Sequence, residues 1–193
     1  KRQAEEDGEQ LLYTQEALQY TLGAMQPVAF GETVSLCGGD IRLTFHPAGH
    51  ILGAASAVIR SDSETLLMTG DISVTPQKTI PGLRLPPVNP DMIVIESTYG
   101  GRVHSQRADE EKRLIQDTAS VIARGGSVLF PAFAIGRSQE VILLLLNAIR
   151  RGHLQRVPIF VDGMSVDICR VYSEHPHLLT NGLHKQIRRY GSP

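Results

Sequence analysis

The sequence predicts an α/β chain in two parts, with antiparallel hairpins first and parallel strand–helix–strand units after them. Two observations carry this. Up to residue 91 the apolar stretches are short and joined by Gly, Ser and Asp turns, as in "TVSLCGGDIRLTFHPAG" (33–49) and "AASAVIRSDSETLLMTGD" (54–71). From Met92 onward the strand-like runs "MIVIES", "SVLFPAF" and "VPIFVDG" alternate with segments of helical periodicity. The rhythm changes between Glu96 and Gly101, so residues 1–97 read as part of one domain and 98–193 as part of another.

The elements follow in order. Residues 1–10 are polar and read as a frayed or severed connection. From Thr14, Ala17, Leu18, Thr21, Leu22 and Met25 recur at helical spacing, and Pro27 stops the run. The two hairpins come next, the second ending at Gly70 and Asp71, and a proline-rich loop spans 81–91. "MIVIES" is continuously apolar, as in a strand covered on both faces. A helix is predicted over 105–124, closed by Gly125 and Gly126, then a strand at 127–133, a helix over 136–151 and a strand at 157–163. Met164 to about His175 reads as a further helix, and the last twenty residues carry no clear pattern.

Hydrophobic residues make up 41% of the 193 and charged ones 20%, which suits a globular protein. A net charge of −1 excludes a strongly basic nucleic-acid clamp while leaving room for a local basic groove. Cys37 and Cys169 stand far apart with no CxxC spacing, so they read as buried thiols in a reducing compartment. The run Val141–Leu146 is far too short to span a bilayer. The first methionine is Met25, and the chain is expected to be a piece of a longer protein.

His50, Asp71 and Glu96 each follow or end an apolar strand, so all three can converge at one sheet edge. Imidazole and carboxylate together suit zinc, iron or manganese. Singly, each has a plainer reading: a loop or core histidine, a turn aspartate, a buried acid paired with an arginine. Spacing alone does not choose between these.

"HPAGHILGAA", "MTGDIS", "IVIESTYG" and "PAFAIGRSQE" occur in this order between Phe45 and Asp162. Together they resemble the β-CASP branch of the metallo-β-lactamase fold, a family of RNA-processing nucleases. The resemblance implies part of a metallo-β-lactamase αββα sandwich over 1–97 and the first parallel units of a β-CASP domain over 98–193. It implies that His50 is a zinc ligand and that Asp71 bridges two zinc ions. Glu96 then supports the site through hydrogen bonds, and "ESTYG" resembles the RNA-directed members. Paired dications of this kind supply a hydroxide at neutral pH and offset charge on a phosphodiester. The implied partners are RNA and either a second copy or an RNA-processing complex, with no membrane, in the cytoplasm or, for a eukaryotic 3′-end subunit, the nucleus. Arg137, at a helix start, is placed to hold an RNA phosphate, its plainer reading being an ion pair with Glu96 or Glu140. Tyr99, Arg102 and His104 are placed to line the cleft between the domains, or else form a solvated loop.

The family's His-x-His-x-Asp-His motif is absent, as are its two late histidines. His175 and His177, in "EHPHLL", read as a surface pair at a helix end. Two of about seven ligands cannot hold zinc tightly, so the chain by itself is expected to be inert. Two other classes are weighed: a non-catalytic scaffold subunit of an RNA-processing complex, and a small-molecule hydrolase of the same fold. Retention of His50, Asp71 and Glu96 opposes the first, and the "ESTYG…GRSQE" segment opposes the second.

Overall fold

The computed structural model describes residues 13–190, and the polar segment 1–10 lies outside them. Helix α1 (Gln15–Ala24) starts where the hydroxyl of Thr14 accepts the Ala17 N–H at 3.1 Å, satisfying one of the orphan donors of its first turn. None of its residues is buried.

One five-stranded sheet follows, with neighbours in sequence order: β1 (Thr33–Leu36), β2 (Ile41–Pro47), β3 (Ala55–Arg60), β4 (Thr65–Met68) and β5 (Met92–Val94). The first four pair antiparallel in the two expected hairpins, and β5 pairs parallel to β4. Val58 of β3 lies between Thr44 and Leu67 and is 1% exposed, as is Ser56 on the same strand. The second hairpin turns at Ser61, whose Oγ accepts the N–H groups of Ser63 and Glu64.

Three strand expectations need correction. β5 is an edge strand among the described residues, with Met92 63%, Ile93 54% and Ile95 63% exposed, so nothing described covers the run that reads as doubly buried. Residues 127–133 and 157–163 form no strand and join no ladder among the described residues. Phe130 and Ile159 pack on helices while Leu129, Phe133 and Phe160 face outward, the alternation of strands covered on one side only. Their apolar composition suits a sheet, but strand structure requires a neighbour's hydrogen bonds, and a cleft of about 750 Å³ lies along both segments.

The helices form as expected: α2 (Arg107–Ala123), α3 (Arg137–Arg150) and α4 (Met164–Glu174). Ile115 of α2 meets Leu145 and Ala148 of α3 and Leu154 beyond it in one apolar cluster. A second cluster joins Ile80, Leu143, Tyr172, Leu179 and Leu183, with Leu52 and Ile187 against it, and so binds the hairpin half to the helical half. Leu183 and Ile187 belong to α5 (Asn181–Tyr190), a helix in the segment whose sequence shows no clear pattern. His175 and His177 stand exposed at the end of α4.

Candidate metal centre

Strand direction explains why three distant residues meet. β2 is antiparallel to β3 and β3 to β4, so β2 runs with β4, and β5 is parallel to β4. His50, Asp71 and Glu96 each lie just beyond the C-terminal end of one of these strands, which places all three at the same end of the sheet.

The turn carrying His50 is locked onto the loop carrying Asp71. Gly49 is buried at φ 76°, and a Cβ there would run into the backbone of Ser73, Gly82 and Leu83, so only glycine fits. The Ser73 N–H donates to the Ala48 carbonyl at 3.0 Å and the Leu83 N–H to the Ser73 carbonyl at 2.7 Å. On the other side a Cβ at Gly136 would lie 2.5 Å from Cγ2 of Ile51, so the start of α3 abuts the His50 turn. The Leu52 N–H reaches the Tyr172 hydroxyl at 3.3 Å, and burial raises that phenol above its ordinary pKa.

His50 Nε2 lies 4.0 Å from Asp71 Oδ2, with both side chains open to solvent. Glu96 sits beside them in a different role. Its Oε1 accepts the Ile72 N–H at 3.0 Å, its Oε2 the Thr98 N–H at 3.2 Å, and its own N–H donates to Thr69 Oγ1. Glu96 thereby fixes the backbone immediately after Asp71. The Ile72 N–H first, then Thr98, and to a smaller degree the charge of His50, hold the Glu96 carboxyl below its ordinary pKa. Its partners are backbone N–H groups and a threonine, not the arginine of the plainer reading.

His50 and Asp71 are donors of the types zinc takes. Two donors on one tetrahedral ion at about 2.0–2.1 Å lie roughly 3.3 Å apart, so a small side-chain rotation brings this pair into range. Among the described residues there is no group of three or more His, Cys, Asp or Glu side chains able to hold a metal. The pair fits two positions of a metal shell and does not complete it.

The other expected site residues lie on the flanking segments. Tyr99 and His104 pack edge to face, ring centroids 4.5 Å apart, on the exposed loop after Glu96. Arg137 is the exposed first residue of α3, and among the described residues its guanidinium is in no ion pair. Glu140, the partner expected for it, is taken by Arg107, whose Nη2 donates to Oε2 at 2.7 Å.

Sequence reading missed this role of Glu140. It is buried, and besides Arg107 it accepts the N–H groups of Lys78 and Thr79 and the Thr79 hydroxyl, each at 2.7–2.8 Å. One carboxylate thus pins the loop that follows Asp71 onto α3. The available signal was an acid on the face that carries Leu143, where a charge needs partners. Nearby, burial would raise Glu111, but hydrogen bonds from Lys78 at 2.7 Å and Arg107 at 3.0 Å more than offset it and leave its pKa lowered.

No protein-family model matches the chain. It is 36% identical over 172 residues to endoribonuclease YSH1 of Mycosarcoma maydis, which covers 88% of this chain and 19% of that protein. It is 36% identical over 168 residues to transcription termination factor FttA of Methanothermobacter thermautotrophicus, covering 84% and 26%. It is 32% identical over 183 residues to an RNase J-like protein of Methanocaldococcus jannaschii, covering 94% and 43%. The chain therefore spans less than half the length of each of these relatives. With similarity running through most of its residues, the chain is a homologue of the β-CASP RNA nucleases of the metallo-β-lactamase fold.

Proposed function

We propose that this chain forms part of a zinc-dependent ribonuclease that hydrolyses RNA phosphodiester bonds in RNA processing or decay. Its sheet is then one half of an αββα sandwich over 1–97, and 98–193 opens the β-CASP domain. The observation that carries the reading is the 4.0 Å approach of His50 to Asp71, with Glu96 holding the Ile72 N–H directly after it. An imidazole and a carboxylate are fixed on one rim by strand direction, by the Gly49 contact and by a carboxylate that is not itself spent on the metal.

In this reading His50 and Asp71 hold metal together with ligands beyond the described residues, and Glu96 positions Asp71. Bound zinc supplies Lewis acidity toward a phosphodiester. Arg137, Tyr99 and His104 flank the path of the RNA, the guanidinium suited to a phosphate and the tyrosine to stacking on a base. RNA is the proposed partner, with a second copy or a processing complex as the assembly. No helix among the described residues is long and apolar enough to cross a membrane.

The test is made in the longer protein that carries this chain. His50→Ala and Asp71→Ala each reduce RNA cleavage by at least about 100-fold and lower the bound zinc, as expected when one of three or four ligands is lost. An undiminished cleavage rate in either variant overturns the metal assignment.

A further inference from the structure

We propose that the C-terminal end of α3 and the outer face of α5 together form a second RNA-binding surface, separate from the metal centre, that takes the phosphate backbone of a single strand. The proposal rests on the reading of the chain as part of a ribonuclease, and it assigns a place where RNA longer than the cleavage site is held.

Two stretches of the sequence contain no carboxylate, residues 141–161 and 175–193. They carry Arg150, Arg151 and Arg156 in one, and Lys185, Arg188 and Arg189 in the other. Each run alone is an ordinary solvated face. The fold joins them: Arg150 Nη2 donates to Gln186 Oε1 at 3.1 Å, across 36 positions of sequence.

Helical geometry sets which way α5 presents its charge. At 100° per residue Leu183 and Ile187 fall on one side and pack into the cluster of Ile80, Leu143 and Tyr172, while Lys185, Arg188 and Arg189 fall opposite. All three are exposed, as are Arg150, Arg151 and Arg156. These two runs carry six formal positive charges in a chain whose net charge is −1, and the Arg150–Gln186 contact brings the runs together. A helix C-terminus favours a cation in its last turn, which accounts for Arg150 of α3 and for Arg188 and Arg189 of α5 but not for Arg151, Arg156 or Lys185. Five of the six are arginines, whose planar forks match phosphate oxygens in pairs.

Distance gives the surface its use. α3 has 14 residues, so its basic end lies about 20 Å from the end that abuts the His50 turn. A single strand kept at the duplex rise of about 3.4 Å per nucleotide reaches from one to the other with roughly six nucleotides, and a more extended strand with fewer.

The experiment measures binding of the whole ribonuclease proposed above to fluorescently labelled single-stranded RNA of 20 nucleotides by anisotropy, at several salt concentrations and with metal withheld so that the RNA stays intact. The variant combines Arg150→Gln, Arg151→Gln, Arg188→Gln and Arg189→Gln, with circular dichroism confirming unchanged helix content. Loss of four phosphate contacts lowers the salt slope by about 2.8, which between 50 and 200 mM amounts to about 50-fold in affinity. The matching four-fold Arg→Lys variant keeps the charge and regains most of the slope. An unchanged slope in the Gln variant overturns the proposal. Competition by poly-glutamate as effective as that by unlabelled RNA also overturns it, because the surface then reads acidic protein. Cleavage by the metal-loaded protein reads the metal centre and metal-free binding reads this surface, so failure of the cleavage reading and failure of this surface register in different measurements.

Discussion

Replacing Glu140 with alanine removes the acceptor that joins the loop after Asp71 to α3. The carboxylate receives four hydrogen bonds, from the Lys78 and Thr79 N–H groups, the Thr79 hydroxyl and the Arg107 guanidinium. Thr79 is 2% exposed, so its N–H finds no water once the carboxylate is gone. Each buried donor left without a partner costs about 1–3 kcal/mol. Arg107 is 34% exposed and recovers by solvation, so its share is small. The two backbone N–H groups together give a loss of roughly 2–6 kcal/mol. With a urea slope of about 2 kcal/mol per molar, the unfolding midpoint falls by about 1–3 M. Glu140→Gln keeps one carbonyl oxygen for Thr79 but turns an N–H toward a second donor, so its midpoint falls between those of the alanine variant and the native chain. The assay is urea unfolding followed by circular dichroism at constant pH. A midpoint shift below about 0.5 M for the alanine variant refutes the reasoning, since it means that the loop finds other acceptors.

Three further predictions concern neighbouring groups. Gly49→Ala places a methyl against the backbone of Ser73, Gly82 and Leu83 at a positive φ, so the chain loses at least about 3 kcal/mol of stability or fails to fold, which thermal unfolding reports. The pKa of Glu111 is lowered in the folded state, so its contribution is fully present above the ordinary carboxylate range and is lost as pH falls through the lowered value. The melting temperature should therefore drop on acidification less steeply in Glu111→Gln than in the native chain, and equal slopes would exclude the contribution. In the ribonuclease proposed above, Glu96→Gln is predicted to weaken the grip on the Ile72 N–H and to lower cleavage about 10–100-fold with a smaller loss of bound zinc than His50→Ala. Equal zinc loss in the two variants would make Glu96 a ligand instead.

Much of this was legible in the sequence, and the reasons are local. The two hairpins follow from their turn residues, and the helices at 107–123, 137–150 and 164–174 from apolar periodicity, because both patterns are set by neighbours a few positions apart. His50, Asp71 and Glu96 were readable as strand-end polar groups, and their shared edge follows once strand directions are known. The sequence did not determine what covers each apolar run. "MIVIES" reads as buried on both sides, yet among the described residues β5 stands at an edge, and "SVLFPAF" and "VPIFVDG" form no strand. Composition reports that a strand suits burial, whereas burial itself depends on a partner elsewhere in three dimensions. α5 escaped notice because only Leu183 and Ile187 mark its inner face among basic neighbours.

The tertiary structure alone decided which charges meet. Glu140 was a candidate partner for Arg137 three positions away, but folding gives it to Arg107 and to the loop at Lys78 and Thr79, and leaves Arg137 facing solvent. Likewise two modest basic runs become one surface only through the packing of α5 beside α3. Periodicity and turn chemistry act over a few residues and are written in the chain, while ion-pair choice and charge density depend on distances that exist only after the elements have packed.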